Sequence, residues 1–211
     1  ATSGVNLFLG TVRDQAVLGG AKTTSPVQGL KAWATMLGGN LQLSSQGGYA
    51  GTLTQAWGGA GGFEKQFSPS LKAGVAIGGT SSNISVSGMQ TSGQVNFGHG
   101  ALYGQKDLGQ AYILAAAGWS AGHSSTSRTS SLLGGLQTGS FDGQGPNGRI
   151  ELGYRIPWGQ IEITPYAALQ GAWIRQNGLS ESGDPIGSLF VKGQTVSSVP
   201  GSLGLQMRTM F

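Results

Sequence analysis

The run Arg149 to Ile156 alternates without a fault. Ile150, Leu152, Tyr154 and Ile156 share one face, and Arg149, Glu151, Gly153 and Arg155 share the other. A period of two over eight residues specifies a β-strand with one apolar and one polar face. The next run repeats it. Ile161, Ile163, Pro165, Ala167, Leu169 and Trp173 oppose Gln160, Glu162, Thr164, Tyr166 and Gln170. That span exceeds the five or six residues typical of a strand in a soluble domain. Leu71, Ala73, Val75 and Ile77 alternate more weakly with Lys72, Gly74, Ala76 and Gly78. Val95, Phe97, Ala101 and Tyr103 alternate with Gln94, Asn96, Gly98 and Gly100. His99 falls on the apolar side of that last pattern, where a histidine is out of place.

The expected strands lie near 30–43, 51–67, 71–88, 92–106, 110–124, 139–157, 159–176 and 188–211. Short breaks at Ser68 to Ser70, Lys106 to Gly109 and Pro157 to Gly159 alternate with longer polar ones. The longer ones are at Gln46 to Gly48, Ser124 to Ser131 and Gly178 to Gly187. Short turns at one end and long loops at the other are the layout of a transmembrane β-barrel. Composition agrees. Only 9% of residues are charged and the mean hydropathy is −0.05, while glycine occurs 40 times. A strand with one face in lipid has no place for charge on that face. A soluble sandwich or lipocalin-like barrel is the alternative, but its wet face would carry many Lys and Glu. Here that face is mostly Gly, Gln, Ser and Thr. Trp33, Trp57, Trp119, Trp158 and Trp173 are candidates either for an interfacial girdle or for ordinary packing.

The first 25 residues follow another rule. Val5, Phe8, Leu9, Val12 and Ala16 make one stripe of a helix, with Asn6, Arg13 and Asp14 on other faces. Gly19-Gly20 is the expected stop and Lys22 to Pro26 a linker. The division is therefore 1–25, helix and linker, and 26–211, barrel.

Several classes are excluded. The glycines have no three-residue period and prolines number seven, so the chain is not collagen. The longest greasy run, Ala111 to Trp119, is too short for a spanning helix. The net charge of +4 comes from singly scattered basic residues, which gives no nucleic-acid signature. There is no cysteine. His99 and His123 fit no metal-ligand spacing, and no Gly-x-Ser-x-Gly occurs. Gly58 to Gly62 lacks the Gly-Lys-Ser/Thr ending of a phosphate loop. No catalytic, cofactor-binding or metal residue is assigned.

Trp57 to Phe67 followed by Leu71 to Gly79, and then Gly100 to Gly104, resemble the early strands of the autotransporter β-domain. Gly148 to Arg155, Ile163 to Gln170 and Glu181 to Gly183 continue the resemblance in the family's order. It covers about residues 30 to 211. It implies an all-β, antiparallel, up-and-down barrel in the bacterial outer membrane, with an N-terminal α-helix in the lumen. The implied function is to anchor and to export or display an N-terminal passenger, with no enzymatic activity and no cofactor. The implied partners are outer-membrane lipid, the passenger itself and the outer-membrane barrel assembly machinery. The alternatives are a small outer-membrane barrel with a structural or adhesive role, or a soluble Gly-rich ligand-binding β-protein. Family barrels have about a dozen strands and close on an aromatic residue. Eight are countable here, so a larger barrel continuing beyond Phe211 is expected.

Parity then assigns the faces. Val5, Phe8, Leu9 and Val12 are expected to form the lumenal helix, against the glycines of 58–62 and 98–100. Arg149, Glu151, Arg155 and Glu162 are expected to line the lumen as converging opposite charges. Ile150, Leu152, Tyr154, Ile161, Ile163 and Leu169 are expected to face lipid. A polar lumen is expected to solvate the amide of Glu151→Gln, so this change should cost much less than Leu152→Arg or Ile163→Arg. Self-cleavage of the linker at an asparagine occurs in some family members, but Asn6, the only asparagine in the helix region, is not followed by a second one, which argues against it here.

Overall fold

The computed structural model describes residues 2–18, 29–45, 50–86, 91–129, 135–183 and 188–209. The expected helix stop at Gly19-Gly20, the linker Lys22 to Pro26, the break at Gln46 to Gly48 and the final Met210-Phe211 lie outside them.

Helix α1 spans Thr2–Leu18. Six long strands follow: β1 (Leu30–Leu43), β2 (Thr52–Ser68), β3 (Leu71–Val86), β4 (Thr91–Leu108), β5 (Ala111–Thr129) and β6 (Leu136–Tyr154). Then come β7 (Ile156–Trp158), β8 (Ile161–Gln176), β9 (Leu179–Ser180), β10 (Phe190–Val191), β11 (Gln194–Ser198) and β12 (Gly201–Thr209). Each strand of the main sheet is antiparallel to its neighbour in the order β1-β2-β3-β4-β5-β6-β8-β11, with β7 and β12 also paired to β8. Register makes β7 a continuation of β6, and β12 a continuation of β11, without a slip. The interruptions fall at prolines, which lack a ladder donor. Pro165 lies opposite Tyr154, where β6 ends, and Pro200 lies between β11 and β12. The sheet therefore behaves as eight meandering strands.

Strand β5 runs farther than its alternation predicts, because its loop end, Ser125 to Thr129, is polar and shows no apolar period. The last expected strand, 188–211, is instead split among β10, β11 and β12.

One face of the sheet packs on α1. The helix touches β1 through β6 and β8, so the sheet must curl around it. The other face is apolar and exposed. Ile150, Leu152, Tyr154, Ile161 and Leu169 lie there, each about half exposed, and Ile163 is partly covered by its neighbours in β7 and β12. Trp57, Trp119, Trp158 and Trp173 are also on that face, whereas Trp33 is buried inside.

The wall of β4 answers the misplaced histidine. Phe97, His99, Ala101 and Tyr103 all point inward, because the apolar side of this strand meets the apolar stripe of the helix.

Candidate functional site

The site is the interior, built by α1 and the wall around it. Thr2–Leu18 contains no proline, and its apolar positions recur at helical spacing. Val5, Phe8, Leu9, Val12 and Ala16 are fully buried, as the stripe requires. They pack on Leu37, Ala60, Ala76, Phe97, Leu114 and Ile174, among others. Burying a side chain of this size is worth about 1.5–3 kcal/mol.

Glycine makes the room, though not where the sequence pattern placed it. A Cβ on Gly78 would stand 2.9 Å from Phe8 Cδ2, and one on Gly4 2.3 Å from Thr80 Oγ1. Gly98 and Gly100 instead belong to the outward set of β4, so that stretch meets the helix only through His99. In the 58–62 stretch, Ala60 is the residue in the packed core. Interior aromatics also lie over glycines directly across the ladder: Trp33 over Gly62, Tyr103 over Gly74 and Tyr112 over Gly153.

Polar contacts fix the helix at three heights. Near its start, Gln170 Nε2 donates to Asn6 Oδ1 at 2.6 Å, and Arg149 donates to Gln170 Oε1 at 3.1 Å. Near its end, Arg13 Nε donates to Glu151 Oε1 at 2.9 Å, and its guanidinium lies 4.4 Å from the centre of the Tyr166 ring. At its last turn, Lys72 Nζ donates to the carbonyl of Ala16 and pairs with Glu64 at 3.6 Å. A cation suits a helix C-terminus, where carbonyls are unpaired and the dipole is negative.

Glu151 is the centre of this arrangement. It is completely buried, and it also accepts from Tyr112 Oη at 2.8 Å and from Arg149. The expectation of a cheap Glu151→Gln therefore needs correcting. The carboxylate stands between two arginines rather than in a wet lumen, and losing one member of a buried ion cluster leaves the others uncompensated. The expected convergence of four charges is also narrower. Arg149 and Glu151 meet, but Arg155 turns to Asp107 at 2.9 Å and stacks over Tyr112. Glu162 lies nearer the β7–β8 turn, in register with Pro157 and Arg208.

A second network surrounds His99. Its Nε2 is 2.8 Å from Thr80 Oγ1 and its Nδ1 2.7 Å from Ser120 Oγ, which also accepts from Asn147 Nδ2 at 2.8 Å. The imidazole stacks on Phe8, with ring centres 5.0 Å apart. His123 is elsewhere, exposed on the outer face beside Asp142 at 2.8 Å. Among the described residues no three His, Asp or Glu side chains are grouped to hold a metal.

At the long-loop end, Arg128 grips Glu181 through Nε at 2.9 Å and Nη2 at 2.7 Å. Those hydrogen bonds, with a further one from the Leu189 amide, hold the Glu181 carboxyl below the usual carboxylate range.

Asn6, Arg13, Lys72, Tyr112, Gln170 and His99 are among the interior residues that the sequence pattern left unassigned. Arg13 and Asn6 flank the apolar stripe, and a helix enclosed on several sides buries its flanks too.

The family model for the autotransporter β-domain matches residues 32–211. The translocator domain of the autotransporter NalP from Neisseria meningitidis has a similar structure, with a TM-score of 0.79 at 17% identity. The match covers 98% of this chain and 71% of that one. The RagAB peptide importer in its closed-closed state reaches only 0.36, at 10% identity, over 85% of this chain and 28% of that one, too low to bear on the fold. No curated protein matches. With an up-and-down antiparallel sheet, an N-terminal helix inside it and a family match over most of its length, this chain belongs to the autotransporter β-domain family, as an outer-membrane translocator for a passenger polypeptide.

Proposed function

We propose that α1 is a resident plug and tether. It occupies the interior of the translocator and ties the passenger to the wall, with Arg13 and Glu151 as the principal latch and Asn6–Gln170 and Lys72–Ala16 as supports. The observation that carries this reading is the burial of Val5, Phe8, Leu9 and Val12 on the same face that presents Glu151. Neither feature serves a barrel whose lumen simply fills with water. On this reading Ile150, Leu152, Tyr154, Ile161, Ile163 and Leu169 contact outer-membrane lipid, and no step of the function is catalytic.

The same reading covers the sheet edges. Among the described residues, β1 pairs only with β2, and β11 and β12 pair only with β8. Lipid leaves unpaired backbone groups unsatisfied. Those edges must be paired for the sheet to sit in lipid. Limited proteolysis tests the plug. Residues 2–18 should resist cleavage in the folded, detergent-solubilised protein and be lost on unfolding. Equal cleavage rates in both states would refute it.

A further inference from the structure

Strand β8 is held unevenly. Its ladder with β6 runs from Gly153↔Tyr166 to Asn147↔Ala172, then skips to Gln144↔Arg175. Pro146 lies in the gap opposite Trp173, whose carbonyl loses a ladder donor there. On the other side the ladder skips from Gly201↔Leu169 to Ser198↔Ala172. Pro200 lies in that gap, and Gln170 keeps only the bond from its amide to the Pro200 carbonyl, at 3.0 Å. Antiparallel bonding alternates sides, so the two prolines remove one donor each, opposite the carbonyls of Trp173 and Gln170. The β3–β4 and β4–β5 ladders, by contrast, run their whole length without a skip. Proline within a sheet removes a ladder bond, and residues beside the loss depend on other contacts for their order.

A contact with the helix is one of these: Gln170 donates to Asn6 and accepts from Arg149 of β6, while Ala172 and Ile174 belong to the buried core. We propose that Gln170–Ile174 is a compliant patch of the wall whose order is supplied by the helix. Gln170 is its positioning residue, and occupancy of the interior is coupled to wall rigidity at this place. The patch is braced while α1 is seated and loosens when α1 leaves. The inference rests on the plug reading of α1.

Hydrogen exchange on the full-length protein in detergent micelles tests it. In Asn6→Ala the amides of 170–174 should exchange at least tenfold faster than in the native protein, while those of β3 and β4 stay within twofold. Adding Pro146→Val and Pro200→Val should abolish that increase, because the restored donors brace the patch without the helix. Should the double valine variant fail to fold, Pro200→Val alone, on the strand with the free edge, should reduce the increase. Unchanged exchange at 170–174 in Asn6→Ala, an equal rise in every strand, or an increase untouched by the valines would overturn the proposal. Protease protection of residues 2–18, measured on the same samples, separates the two readings. A protected helix with indifferent exchange sinks only the compliant patch, and an unprotected helix sinks the plug as well.

Discussion

Glu151 and Leu152 are neighbours in one strand, yet they live under different rules. Leu152 is 54% exposed on the outer face, where its neighbours are other apolar side chains and the requirement is only to be greasy. Glu151 has no exposed surface, and every contact it makes is directional: two arginines and one tyrosine. The outer face is thus specified by composition and the inner face by partnership. A substitution that keeps polarity can pass outside and fail inside.

The largest effect should come from Glu151. Glu151→Ala leaves Arg13 and Arg149 facing each other without their carboxylate and should cost about 3–5 kcal/mol in a detergent-unfolding series. Glu151→Gln should recover only part of that, since an amide offers no charge. Phe8→Ala comes next. It empties a site enclosed by His99, Gly78 and the core, and should cost about 3–4 kcal/mol in the same series. On the outer face, Leu152→Arg should cost about 2–4 kcal/mol. Leu152→Ile keeps the apolar surface and should change stability by less than about 0.5 kcal/mol. If Leu152→Ile proves as harmful as Glu151→Gln, the contrast between the faces fails.

The smallest effect is confined to the loop end. Glu181 titrates below its ordinary value of 4.5 in the folded protein. A carboxyl with a depressed folded value contributes stability above its unfolded value and loses it as the pH falls through the folded one. Proteolysis at the β9–β10 loop should therefore be slow at neutral pH and accelerate only in acid below about 4.5, without global unfolding. Glu181→Gln should remove that pH dependence.

The contrast also explains what a reader of the sequence can and cannot see. Long alternation reveals strands because the two faces meet different media, and the stripe Val5 to Ala16 reveals the helix for the same reason. Alternation does not say which side is inside. In β6 the apolar side faces out; in β4 the apolar side faces in, because Phe97, Ala101 and Tyr103 meet the helix rather than lipid. Glycines at 98 and 100 looked like space for the helix, but parity carries them outward, and Gly78 makes the space instead. Partners are still less visible. Nothing local connects Arg13 with Glu151, 138 residues away, or Asn6 with Gln170. Those pairings exist only once the sheet has curled around the helix.

The central claim, that α1 is seated on the inner face of the wall, is open to one direct measurement. The chain has no cysteine, so an engineered pair has no competitor. A Cβ at Gly4 would lie 3.2 Å from Thr80 Cβ, so a shift of a few tenths of an ångström brings the pair into the roughly 3.5–4.5 Å that a disulfide spans. Under mild oxidation the full-length protein carrying Gly4→Cys with Thr80→Cys should crosslink nearly quantitatively, seen as a reducible mobility shift. The control Gly4→Cys with Gly79→Cys, one residue away on the outer face, should not. A crosslink absent from the first pair, or equal in both, would contradict the account.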